Sequence, residues 1–241
     1  MAASRGETIE RLKALLITIL IVVIVVWLVL GRSRDPHQLQ IAAANDLAGV
    51  IVNASAGVTP GTRGLMLADC CGNHTEIALS AGVFDMAVLC PDAAELFLQA
   101  NDSFFIVGGL VRNTNVLVST SPNSPLVVGY TEGRASQREA ARAFLGEDVR
   151  FMPVITLALP NALATGAVCA VILDIYAAVN IPEEFYMTPL PHYGYSSVLV
   201  VCMYAAQTEA FRDFVNSFND FIASDEVDKW KDLGVRFSRL Y

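Results

Sequence analysis

The stretch Leu65-Met66-Leu67-Ala68-Asp69-Cys70-Cys71-Gly72-Asn73-His74-Thr75-Glu76 decides how the chain is read, because Met86-Ala87-Val88-Leu89-Cys90-Pro91-Asp92-Ala93-Ala94-Glu95 repeats its plan. Each is a β-like run, then cysteine, then a helix-start signal. Asn73 and Asp92 are both residues that cap helices, and each is followed three positions later by Glu, the capping-box spacing. Cys71 and Cys90 each stand two positions before the cap. A thiol just ahead of a helix N-terminus feels the positive end of the macrodipole. That field favours thiolate, the form that acts as nucleophile or soft-metal ligand. Two such strands in one parallel sheet would open both loops on the same edge, where α/β proteins bind ligands.

Outward from this pair the alternation continues. Toward the N-terminus, an apolar run at 39–44 ends at Asn45-Asp46 and leads into a weakly helical stretch, with a Pro/Gly break at 57–62. Toward the C-terminus, helix is expected at 75–81 and 93–99, and strands at 104–107 and 116–119. Ser121-Pro122-Asn123-Ser124-Pro125 interrupts the composition, after which the pattern restarts. Strands at 126–130, 149–153 and 170–174 then alternate with helices at 136–145 and 158–164. A second break, Pro189-Leu190-Pro191-His192-Tyr193-Gly194-Tyr195, precedes a last strand at 198–204. Phe211, Phe214, Val215, Phe218, Phe221 and Ile222 make an apolar stripe at helical spacing through a long final helix. Strands separated by helix-length segments indicate βαβ units and a parallel sheet. The whole reads as α/β with two lobes, 35–120 plus 197–241 and 121–196, and two crossings near residues 120 and 196. Such a plan makes a cleft that hinges shut on a ligand.

Ahead of these lobes, residues 14–31 form an uncharged apolar run of eighteen positions, with Arg11 and Lys13 before it and Arg32 and Arg34 after it. That length is near the lower limit for crossing a bilayer. No small-x-small cleavage site follows, so 1–34 is expected to be an uncleaved transmembrane anchor, a cleaved signal being the alternative. Three basic residues before the run against two after it lean toward an N-terminus inside and a binding domain on the extracytoplasmic side of the cell membrane. Without the flanking charges, the chain from Asp35 onward has 11 basic and 22 acidic residues, which argues against nucleic acid as a partner. All five cysteines lie in this part, and an odd count in an exported domain marks at least one functional thiol or an intermolecular bridge.

The order of four further segments carries a resemblance. Phe84-Asp85-Met86-Ala87, Ile106-Val107-Gly108-Gly109, the turn Gly133-Arg134-Ala135-Ser136-Gln137 and the closing Lys229-Trp230-Lys231-Asp232-Leu233-Gly234 resemble the type 2 periplasmic-binding-protein class, the solute-binding components of ABC importers. More narrowly, Ala68-Asp69-Cys70-Cys71-Gly72-Asn73 looks like the substrate-binding component of the selenocysteine-assisted organometal (Sao) transport family, with ordinary cysteine at both positions. The resemblance implies a non-enzymatic receptor that delivers a soft-metal or organometal compound to an ABC transporter permease. The alternatives are a receptor for a generic organic solute, sulfonate or pyrimidine-like, and an enzyme using a Cys71 thiolate on organometals.

Residue chemistry bears on the same site. Thiolates prefer soft metals, and Cys70, Cys71 and Cys90 are the candidate metal ligands, Cys71 first, Cys90 next. Asp69, Gly72 and Asn73 share their loop and join them as ligand-binding candidates. Asn45 and Asp46 end the first strand and either face the cleft or cap the helix that follows. Asp174 ends its strand from the second lobe, facing the cleft or capping the next turn. Arg134 sits in the glycine-containing turn, to meet an anion or solvent. Tyr130, Tyr193 and Tyr195 are lid candidates, and His37, His74 and His192 have no ligand spacing. Cys169 and Cys202 lie in or beside apolar runs and are expected to pack in the core.

Overall fold

The apolar run that ends at Asn45-Asp46 is a fully packed strand, β1 (Leu39–Ala44), and its small alanines let a helix lie directly on it. That helix is α1 (Leu47–Val58), started by Asp46, whose side chain accepts from the Gly49 N–H. Gly49 is required: a Cβ there would overlap the Ala44 carbonyl oxygen. The structure, a computed structural model, describes residues 38–67, 73–123, 126–191 and 194–241. Within the described residues no helix is long and apolar enough to cross a membrane, and the anchor expected at 14–31 lies outside them.

From α1 the chain runs through β2 (Thr62–Leu67), α2 (Asn73–Ser80), β3 (Met86–Leu89), α3 (Pro91–Gln99) and β4 (Phe104–Arg112). It then builds β5 (Asn115–Ser119), β6 (Val127–Thr131), α4 (Ala135–Leu145), β7 (Arg150–Val154), α5 (Leu159–Ala164), β8 (Ala170–Asp174), the single turn α6 (Ile175–Ala178) and β9 (Tyr186–Pro189). It returns as β10 (Ser197–Cys202), α7 (Glu209–Ala223), α8 (Asp228–Asp232) and β11 (Arg236–Phe237). Two mixed sheets result, in the orders β11-β4-β10-β3-β1-β2 and β7-β6-β8-β5-β9.

Only part of each sheet is parallel. β1 pairs in parallel with β2 and β3, and β6 with β7 and β8, as βαβ units require. The returning strand β10 is antiparallel to both β3 and β4, and β5 is antiparallel to β8 and β9. The strand at 115–119, expected in the first lobe, pairs in the second sheet, so the chain changes sheet at Asn113-Thr114 and not near residue 120. Asn113 takes the left-handed φ of 61° at that corner. The two crossings run side by side, the Ser196 N–H donating to the Val111 carbonyl at 2.8 Å and the Thr114 N–H to Ser196 Oγ at 3.3 Å.

The apolar stripe of the last long helix does what its spacing predicts. Phe211, Phe214, Phe218 and Ile222 are buried on one face of α7, which packs against α1. Phe214 and Phe218 are fully enclosed, with ring centroids 6.4 Å apart. Thr208 starts the helix, its hydroxyl accepting from the Phe211 N–H. Removing a fully enclosed aromatic side chain costs about 3–5 kcal/mol. Phe214→Ala is expected to lower the free energy of unfolding by that amount in urea titration, and a loss below about 1 kcal/mol would contradict the packing.

Candidate functional site

Four strand ends meet around one cavity of about 140 Å³. The turn after β1 supplies Asn45 and Asp46, the end of β6 Thr131 with Arg134 beyond it, the residue after the β7 turn Thr156, and the end of β8 Asp174. Gln137 of α4 closes one side, and Leu157, Leu159, Pro160, Ile172 and Leu173 give apolar wall. One water needs roughly 10–15 Å³, so the space suits a small organic group.

The polar lining is held firmly. Gln137 is buried; its Oε1 accepts from the Thr131 N–H at 3.1 Å and its Nε2 donates to Asn115 Oδ1 at 3.1 Å. The Arg134 guanidinium, 9% exposed as a residue, approaches Asp46 Oδ2 at 4.0 Å. Asp46 in turn is fixed by the Gly49 N–H at 2.8 Å.

Asp174 links the two sheets. Its Oδ1 accepts from the Tyr176 N–H at 2.9 Å, which starts α6, and also from the Leu47 N–H at 3.0 Å, the first residue of α1 across the cleft. Two carboxylates therefore serve the N-terminus of α1, one from each sheet. Burial first, and the Asp46 carboxylate second, push the Asp174 carboxyl up to about 6 from 3.8, against its hydrogen bonds with Tyr176, Leu47 and Thr114. A matching contact runs the other way. Helix α4 has no side-chain cap of its own at Arg134. Asp92 of α3 reaches across instead, its Oδ2 accepting from Ser136 N–H at 3.1 Å and Ser136 Oγ at 2.8 Å.

The structure thus brings together Asn45, Asp46, Arg134 and Asp174, which the sequence had placed only singly at strand ends and a turn. Asp46 and Asp174 cap helices and line the cavity at once. Asp69, Cys70, Cys71 and Gly72 lie outside the described residues, and α2 begins at Asn73. Cys90 is itself the residue before α3, which starts at Pro91, so the thiol stands one position before the helix and not two before a capping Asp92. It is buried and does not line the cavity. Ser136, expected to start the helix at 136–145, sits inside the first turn of α4 and donates to Asp92.

Cys169 corrects another expectation. It is exposed, because it precedes β8 in a surface turn, whereas Cys202 packs against the core and its sulfur accepts from the Ala205 N–H at 3.4 Å. Neither these two nor Cys90 is in a disulfide. Among the described residues no group of three or more His, Cys, Asp or Glu is placed to hold a metal. Tyr130 lies edge-on to Phe151 and away from the cavity. Tyr195 belongs to the crossings: the Arg112 guanidinium covers its ring at 4.1 Å, and a Cβ at Gly109 would overlap the ring. Tyr193 is outside the described residues. Sequence reasoning missed Thr131, Gln137 and Thr156; the strand-end rule that found Asp174 would also have reached Thr131, the last residue of β6.

Asp174 makes stability pH-dependent. With its native value above 3.8, the folded chain binds more protons at this site than the unfolded chain between about pH 4 and 6. The contribution is full below that window and lost as pH rises through it. Asp174→Asn is therefore expected to gain thermal stability relative to the wild type from pH 4 to 6.5, read by Tm. Parallel Tm curves would contradict the assignment.

Neither a protein-family model nor a curated protein matches the sequence. Solved structures do match in shape. A lipoprotein of Bacillus subtilis subsp. subtilis str. 168 described as methionine-binding superposes with a TM-score of 0.66 at 13% identity, over 86% of this chain and 100% of that one. The alkanesulfonate-binding protein SsuA from Xanthomonas axonopodis pv. citri bound to MOPS gives 0.58 at 17% identity, over 84% and 78%. The zinc-bound ligand binding component of an ABC-type import system from Staphylococcus aureus gives 0.59 at 13% identity, over 77% and 73%. The chain shares the two-sheet α/β fold of these binding proteins.

Proposed function

We propose that this chain is the substrate-binding component of an ABC transporter. It works on the extracytoplasmic side, is anchored through residues 14–31, and passes a small solute to a permease without changing it chemically. The observation that carries the reading is the cavity between the two sheets, lined by strand carboxyl ends from both, with the Asp174–Leu47 and Asp92–Ser136 hydrogen bonds joining the two halves. A fold of two halves joined by two crossings, with the solute site between them, is suited to capture by closure.

The solute we favour is a soft-metal or organometal compound. In the first sheet β1 lies between β2 and β3. Its end supplies Asn45 and Asp46 to the cavity, and the Asn45 N–H donates to the Leu67 carbonyl at the end of β2. Cys70 and Cys71 follow Leu67 by three and four residues, and Cys90 follows β3 directly. Thiols thus come after the strands on both sides of β1, and soft metals select thiolate. A generic organic solute is the second reading, favoured by the lack of any sulfur in the cavity lining among the described residues.

Native mass spectrometry of the full chain under reducing conditions separates these. In a Cys169→Ser background, which removes the exposed thiol, methylmercuric cation is expected to bind one equivalent and to be released unchanged by excess thiol. Cys71→Ser is expected to abolish that complex, and Cys202→Ala to leave it intact. Wild-type affinity in Cys71→Ser would overturn the thiolate reading, and turnover of the solute would overturn the receptor.

A further inference from the structure

The charge of the cavity narrows the solute. Among the described lining residues the charged side chains are Asp46, Arg134 and Asp174. Arg134 and Asp46 stand against one another at 4.0 Å, and Asp46 is held in place by Gly49, so this pair is close to neutral toward a ligand. Among the described residues Asp174 has no cation of its own: its partners are the N–H groups of Leu47 and Tyr176 and the hydroxyl of Thr114. An anion entering here would meet the two carboxylates as well as the Arg134 guanidinium. A cation would offset the burial of Asp174 and its repulsion by Asp46, the two causes that hold this carboxyl high. The rest of the wall is apolar, from Leu157, Pro160, Ile172 and Leu173.

We infer that the cavity takes a small monocation with a compact apolar body, with the Asp174 carboxylate as its counter-ion, and that it rejects sulfonates and carboxylates. The inference rests on the receptor reading above and not on its thiolate, and it specifies the substrate class by charge: an alkylammonium fits, as does an alkylmetal cation that has not bonded a thiolate, whereas a free sulfonate does not.

The test compares probes of one shape and different charge on the full chain by titration calorimetry: tetramethylammonium, tert-butanol and pivalate, with methylmercuric cation alongside. Tetramethylammonium is expected to bind at least tenfold more tightly than pivalate, with tert-butanol between them. Asp174→Asn keeps an acceptor for the Leu47 and Tyr176 N–H groups, and is expected to lose at least tenfold in cation affinity while its circular dichroism stays native. If that variant does not fold, the order of the three probes on the wild type decides alone. Pivalate binding as tightly as the cation overturns the charge assignment and leaves the receptor reading standing. Cation affinity unchanged in a folded Asp174→Asn overturns it as well. A Cys169→Ser chain that binds none of the four probes overturns both.

Discussion

Two aspartates cap helices that are not their own, and the site depends on that exchange. Asp174, at the end of a strand in the second sheet, takes the first N–H of α1 in the first; Asp92, in a helix of the first, takes the Ser136 N–H in α4 of the second. A helix start leaves N–H groups without intrahelical partners, and a carboxylate there is favoured by hydrogen bonding and by the helix field together. Reciprocal capping holds the two sheets with their strand ends facing each other. The space left between those ends is the cavity.

That arrangement explains why polar groups are tolerated in so enclosed a place. Asp46, Gln137 and Arg134 are all buried, yet each has a fixed partner from a neighbouring strand or helix end. Buried polar groups are stable when paired, and costly otherwise. Asp174 is the exception in degree. It accepts from N–H groups in both halves, yet burial and the neighbouring Asp46 still raise it to about 6. A carboxyl in that state is sensitive to any charge placed beside it.

Much of this was legible in the sequence. Short continuous apolar runs marked β1, β3 and β8, and a period-3.6 stripe marked α7, because burial dictates them locally. The rule that α/β ligands gather at strand carboxyl ends marked Asn45, Asp46 and Asp174 as candidates, and a glycine turn marked Arg134. Pairing was not legible. Nothing local tells Val116 and Val118 to join the second sheet, or β10 to run against β3; those partners are dozens of residues away. Capping rules look three residues ahead, so they assigned Asp92 to its own helix, when its acceptor serves Ser136, 44 positions on. Cys169 misled because an apolar run was extended one residue too far, into an exposed turn.

The solved structures of similar shape include binders of quite different solutes by their own descriptions, among them an alkanesulfonate-binding protein and a zinc-bound component. The fold therefore leaves the solute open, and the lining residues must decide it. The most direct measurement is a crystal structure of the full chain with methylmercuric cation, the mercury located by its anomalous scattering. The account predicts mercury between the two sheets, at the cavity bounded by Asn45, Asp46, Arg134 and Asp174. Mercury found only on Cys169 or Cys202, with nothing bound between the sheets, would contradict it.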